Sequence, residues 1–245
     1  MNNPEEIKKI VKEKYSEIAT NNSGCGCSCN GNKDISKSIG YSEEDLRITG
    51  DSNLGLGCGN PVGFSDIKEG DTVLDLGCGA GIDCFLAARK VGESGKVIGV
   101  DMTEEMIKKG KLNAKKQNIK NLEFILAEIE KIPIKDNSID IIITNCVVNL
   151  TPDKLKAFKE AYRVLKPGGK IFLSDIVLLR ELSEGQKNNK DLLTGCVAGA
   201  LLKDDYLNKI KETGFSVNIL KENKEISKEQ YNGIALESLM IEAVK

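Results

Sequence analysis

Apolar residues recur at two different periods along this chain. Ile7, Ile10, Val11, Tyr15 and Ile18 follow helical spacing, which predicts an amphipathic helix over residues 4–20. Ser42 ahead of Glu43, Glu44 and Asp45 predicts an N-cap with an acidic first turn. Residues 51–63, rich in glycine and containing Pro61, read as a loop. From residue 70 short apolar runs alternate with helical patterns. Strands are expected at 72–76, 96–100, 122–126, 139–144 and 170–176. The helices between them are expected at 82–90, from Thr103 to about Gln117, and at 152–165 with Pro152 in the first turn. Strands and helices alternating at these lengths imply a parallel sheet with right-handed crossovers, an α/β fold. Two later runs, 215–220 and 238–244, extend the expected sheet to seven strands. The predicted organisation is an N-terminal helix and cysteine-rich loop over 1–50, a core over 51–180, and a segment over 181–245 that completes the sheet and covers the acceptor site.

Composition narrows the chemistry. Among 245 residues, 35 basic and 37 acidic side chains nearly cancel, which predicts neither a nucleic-acid nor a membrane partner. No apolar run approaches the roughly 20 residues that span a bilayer. The charged start, MNNPEEIKKIVKEKY, lacks the apolar stretch of a secretory signal, so the expected location is the cytoplasm, where thiols stay reduced. The chain has no histidine, which excludes Ser-His or Cys-His nucleophiles, an imidazole base and His-ligated zinc. Any reaction must run on thiols, carboxylates, amides or a cofactor.

The first predicted strand runs into Asp75-Leu76-Gly77-Cys78-Gly79-Ala80-Gly81 and then a helix. Gly77, Gly79 and Gly81 let backbone approach a ligand at the strand's carboxyl end. The second strand ends at Asp101, placed to accept both hydroxyls of a ribose, and Met102 follows it. The spacing is G-x-G-x-G and not the G-x-G-x-x-G of dinucleotide binders, and it resembles the S-adenosylmethionine (SAM) loop of class I methyltransferases. Ala127-Glu128 after the third strand and Lys166-Pro167-Gly168-Gly169 before the fifth are similar to further signatures of that family. The resemblance implies a Rossmann-like fold and a SAM cofactor, with Asp75, Gly77, Gly79, Gly81, Asp101, Met102, Glu128 and Asn145 as the cofactor-binding set.

Eight cysteines remain to be placed. Cys78 and Cys84 are most simply small buried side chains. Cys58, Cys146 and Cys196 lie in separate loops, two of them beyond the carboxyl ends of predicted strands, and as a set they suggest a cup of three thiolates. Soft sulfur selects a soft centre, and Cys58, Cys146 and Cys196 lack the C-x(2–4)-C spacing of zinc sites. A pyramidal trivalent centre fits three sulfurs: arsenic(III), whose lone pair faces away from them and is itself the nucleophile. The motifs Gly57-Cys58-Gly59-Asn60-Pro61, Asn145-Cys146-Val147-Val148-Asn149-Leu150 and Gly195-Cys196-Val197-Ala198-Gly199-Ala200 resemble those of the arsenite SAM methyltransferase family. That resemblance implies that Cys58, Cys146 and Cys196 ligate arsenic(III), that Asp101 and Glu128 meet the cofactor's ribose and adenine, and that arsenite and methylated arsenicals are substrates. Cys25, Cys27 and Cys29, in NNSGCGCSCNGN, are then redox or relay candidates. Methylation raises arsenic to the pentavalent state, and a thiol delivered to Cys58 would return two electrons, with thioredoxin or a glutathione-like thiol as reductant. Two other readings are a methyltransferase for a quinone precursor or sterol-like lipid, and a non-catalytic soft-metal or arsenical buffer.

Overall fold

The computed structural model describes residues 3–21, 31–226, 231 and 233–245. Its centre is one seven-stranded sheet in the order β3-β2-β1-β4-β5-β7-β6. The strands are β1 (Thr72–Leu76), β2 (Lys96–Asp101), β3 (Leu122–Leu126), β4 (Ile139–Asn145), β5 (Leu165–Leu178), β6 (Ser216–Asn223) and β7 (Leu236–Val244). β1 to β5 pair in parallel, while β7 runs antiparallel between β5 and β6. The helices, in chain order, are α1 (Pro4–Asn21), α2 (Gly31–Ser38), α3 (Glu43–Thr49), α4 (Pro61–Phe64), α5 (Ile82–Lys90), α6 (Glu104–Lys116), α7 (Lys154–Val164), α8 (Glu184–Lys187), α9 (Lys190–Thr194) and α10 (Lys203–Glu212).

Alternation along β1 explains the layering. Leu74 and Leu76 face a core completed by Phe158 and Ala161 of α7 and Tyr206 and Ile210 of α10. Val73 faces the opposite core, with Phe85 and Ala88 of α5 and Leu46 of α3. Both faces of the central strand β1 are therefore buried, as its near-continuous apolar run requires, while the edge strand β3 stays partly exposed. The chain leaves β1 towards β2 and β3 on one side and returns through β4 and β5 on the other. That reversal opens a crevice beyond the carboxyl ends of β1 and β4, where open α/β sheets bind ligands.

Local signals explain the helix starts. Ser42 and Asp45 form a reciprocal capping box at α3. The start of α7 differs from expectation: Pro152 lies outside the helix, and Asp153 caps it by accepting from Lys156 N. Aspartate supplies the side-chain acceptor that proline lacks. β5 starts earlier than expected, at Leu165, so Pro167, Gly168 and Gly169 fall inside the strand. Among the described residues, no helix is long and apolar enough to cross a membrane.

Candidate functional site

The crevice holds a cavity of about 570 Å³, within the usual size of small-molecule sites. Gly77, Gly79, Asp75, Asp101 and Met102 line one end of it, and Cys146 and Cys196 line the other. Lys8, Val11, Tyr15 and Ile18 of α1 line it as well. Tyr15 Oη donates to the Thr194 carbonyl at 3.2 Å, and Ser16 Oγ donates to Glu105 Oε2 at 2.7 Å, so α1 bridges α9 and α6 across the mouth.

The glycine loop has the geometry of a backbone cradle. Gly77, Gly79 and Gly81 have φ of 68°, 52° and 94°, all in the left-handed region. A Cβ at Gly81 would meet Phe124 at 2.8 Å, so this glycine serves helix packing while Gly77 and Gly79 face the cavity. Asp101 fixes the loop from the next strand: its Oδ2 accepts from Gly79 N at 2.9 Å and its Oδ1 from Thr103 N at 2.8 Å. An adenosyl group with a ribose suits this end, since a carboxylate and a Cβ-free backbone face the same space.

Besides Gly81, two cofactor-set residues sit differently from the expectation. Glu128 is not part of the cavity lining; its side chain, 49% exposed, pairs with Lys8 Nζ at 2.6 Å. Its neighbours Ile129 and Glu130 line the cavity instead, because β3 ends at Leu126 and the following turn points Glu128 outward to α1. Asn145 lines the cavity, but its amide bonds the Cys58 loop: Oδ1 accepts from Cys58 N at 3.0 Å and Nδ2 donates to the Gly59 carbonyl at 2.7 Å.

At the other end the three thiol positions share one buried apolar cluster with Leu150, Ile176, Leu193 and Leu236. Cys58 and Cys146, 88 residues apart in sequence, are joined as a disulfide with Cα atoms 6.0 Å apart, where the sequence led us to expect two thiols. Cys196 lies outside that bond; its Sγ donates to the Cys146 carbonyl at 2.8 Å. Cys146 and Cys196 have φ of 57° and 66°, a left-handed conformation that costs an ordinary residue roughly 1–2 kcal/mol. Both strained positions are cysteines that line the cavity, the pattern expected of functional strain. Cys78 and Cys84 are buried, and burial raises both thiols, Cys78 to about 11. Cys25, Cys27 and Cys29 lie outside the described residues.

The sequence reading missed Asp175. A carboxylate oxygen of this residue and the sulfurs of Cys58 and Cys146 all lie within 4.8 Å of one another. Asp175 is buried on β5, and Tyr206 Oη and Asn149 Nδ2 donate to it at 2.9 and 2.8 Å. The available signal was a lone charge inside an apolar strand run, Phe172 to Leu178.

Burial pushes the Asp175 carboxyl up to about 7, against the donated hydrogen bonds and the nearby Lys154 ammonium. Asp83 is raised the same way, to about 6. An unfolded aspartate ionises near 3.9, so between about pH 4 and pH 7 the folded chain holds more protons than the unfolded one. Folding stability therefore falls as pH rises through this window. The urea midpoint should be higher at about pH 5.5 than at about pH 7.5, with a difference on the order of 1–3 kcal/mol in stability. Asp175→Asn should flatten part of that slope, and an unchanged slope would remove Asp175 as its source.

A methyltransferase-domain family model matches residues 67–214. The arsenite methyltransferase of Halobacterium salinarum is 45% identical over 227 residues, 86% of this chain and 58% of that protein. The arsenite methyltransferase of Mus musculus is 39% identical over 168 residues, 65% of this chain and 44% of that protein. The chain spans about half the length of these curated relatives. The crystal structure of an arsenic(III) S-adenosylmethionine methyltransferase from Chlamydomonas reinhardtii superposes with a TM-score of 0.68 at 31% identity, covering 86% of this chain and 73% of that one. A seven-stranded methyltransferase sheet and this degree of likeness through most of its length mean that the chain belongs to the arsenite S-adenosylmethionine methyltransferase family.

Proposed function

We propose that this chain methylates trivalent arsenic, taken as arsenite or a methylated arsenical, with Cys58, Cys146 and Cys196 as its ligands. One observation carries the reading: Cys146 and Cys196 line the same cavity as the glycine loop, and Cys58, itself outside the lining, is bonded to Cys146 from a distant segment. The halobacterial and algal relatives named for the same substrate support it.

When bound, SAM supplies an electrophilic methyl carbon on a sulfonium centre. Gly77, Gly79, Asp101 and Met102 are the residues that would hold it. Met102 also packs against the thiol cluster, so the two ends of the cavity touch through one side chain. With Cys58 and Cys146 reduced, each thiol proton leaves with an arsenite hydroxyl as water, and an As–S bond replaces an As–O bond. Sulfurs gathered on one side leave the arsenic lone pair on the other. That lone pair is already a nucleophile, so no side chain has to remove a proton, consistent with a chain that has no histidine. Leu150, Val197 and residues of α1 form apolar walls of the same cavity.

Methyl transfer formally oxidises arsenic by two electrons. Two thiols closing to a disulfide return them, releasing two protons. Cys25, Cys27 and Cys29 are our candidates for delivering a thiol to Cys58, with thioredoxin or a glutathione-like thiol restoring the pair. The contact between Cys58 and Cys146 favours a second route, in which these two residues close on each other.

Incubation of the chain with methyl-labelled SAM and arsenite, with and without a thiol reductant, tests the function. Labelled methylarsenicals are expected, with multiple turnovers only when reductant is present. A folded chain that transfers no label to arsenic, or that labels a quinone precursor instead, overturns the reading. Replacing Cys25, Cys27 and Cys29 together by serine should lower steady-state turnover by about tenfold or more while sparing a single turnover. Unimpaired turnover with both arsenite and a trivalent methylated substrate would remove the relay role.

A further inference from the structure

Cys58 sits among residues that ought to leave it loose. Gly57 and Gly59 flank it, and Gly55 and Gly57 have left-handed φ of 66° and 106°. Its side chain is nonetheless buried, and both polar atoms of its backbone are held by side chains from other strands. Its N–H donates to Asn145 Oδ1 at 3.0 Å, and its carbonyl accepts from Ser238 Oγ at 2.8 Å. Asn145 also donates to the carbonyl of Gly59 at 2.7 Å, so a single amide brackets Cys58 from both sides.

That amide is itself fixed. Asn145 Nδ2 lies 3.0 Å from Tyr41 Oη, and the tyrosine hydroxyl donates to Asp83 Oδ1 at 2.8 Å. The close approach depends on glycine, because a Cβ at Gly57 would come within 2.8 Å of Asn145 Nδ2. Asn145 is also the chain neighbour of Cys146, whose own N–H donates to the Ser174 carbonyl at 2.8 Å. The bracket thus ties the backbone of one sulfur position to the strand end that carries the other.

We infer that Asn145 and Ser238 are positioning residues that clamp the Cys58 backbone, keeping its sulfur within bonding reach of Cys146. The inference rests on the reading that the two sulfurs share one guest, but the clamp acts on the thiol pair and can be measured without arsenic. Its effect is on local concentration: a held thiol meets its partner far more often than one on a loose loop. It also gives Asn145 a role other than contact with the methyl donor.

The full-length chain is equilibrated in graded mixtures of reduced and oxidised glutathione. Cys58 and Cys146 give two electrons and two protons to glutathione disulfide, which becomes two glutathione thiols. The fraction of Cys58–Cys146 disulfide is read by mass spectrometry of trapped peptides. Asn145→Ala should lower the apparent effective concentration of the pair by about tenfold or more, and Ser238→Ala by about threefold or more. Ser238 is outside the cavity lining, so Ser238→Ala should bind labelled SAM with wild-type affinity. If Asn145→Ala fails to fold, Ser238→Ala decides alone. Wild-type equilibria in the folded variants overturn the clamp. Shifted equilibria in a chain whose wild type never methylates arsenite support the clamp and remove the arsenic reading instead.

Discussion

Cys146→Ser should bring arsenite methylation down to background, a loss of about a thousandfold or more, while leaving the fold in place. A serine hydroxyl is a hard, weakly acidic ligand and does not replace thiolate at a soft centre. The backbone at this position has φ of 57° and its N–H bonds the Ser174 carbonyl, and serine can occupy both. Cys196→Ser should behave alike, since its hydroxyl can donate to the same Cys146 carbonyl that the thiol uses. Cys58→Ser should differ: arsenite methylation falls, but a trivalent methylated substrate that needs two sulfurs retains part of its turnover. The labelled-methyl assay, run beside a thermal melt, checks all three. Cys146→Ser or Cys196→Ser retaining more than about a tenth of wild-type turnover would falsify the ligand assignment.

Asp101→Ala is expected to act at the opposite end of the cavity. Its carboxylate accepts from both Gly79 N and Thr103 N, so removing it frees the glycine loop and deletes a charge facing the cavity. Affinity for SAM should fall by about a hundredfold, on the order of 2–3 kcal/mol. Binding of arsenite to the reduced chain, measured without donor, should stay at its wild-type strength. Parallel loss of both would mean that Asp101 holds the whole crevice together and has no separate part in donor binding.

The sheet was largely legible because buried parallel strands write themselves as short apolar runs. β1, β3 and α5 fall at the expected residues, and β7 was signalled by the run ending at Val244, though its antiparallel direction was not. The glycine loop was legible for a different reason: glycine takes left-handed turns such as those at residues 77 and 79 without strain, and at 77 a Cβ would meet Val147 at 2.4 Å. Contacts made by folding distant segments together were legible only as a grouping of Cys58, Cys146 and Cys196, without their pairing or their supports. Nothing local to Cys58 indicates Cys146, 88 residues on, as its partner, nor Asn145 and Ser238 as the groups that hold its backbone. Asp175 shows the same limit. Its place in a strand is written in the chain, but its nearness to two sulfurs and its bond to Tyr206 depend on how β5 and α10 pack. Glu128 entered through the resemblance alone, as an adenine contact, and nothing in the local sequence indicates the ion pair that its carboxylate makes with Lys8.

The left-handed residues at 146 and 196 bear on how activities are assigned across genomes. Asparagine adopts that conformation more readily than cysteine and is close to it in size. A descendant carrying asparagine at either position would keep its sheet, its glycine loop and its superposition on working enzymes, yet have lost its grip on arsenic. Drift of that kind is silent in the backbone. Shape alone would count such a chain as active, and two letters of its sequence would say otherwise.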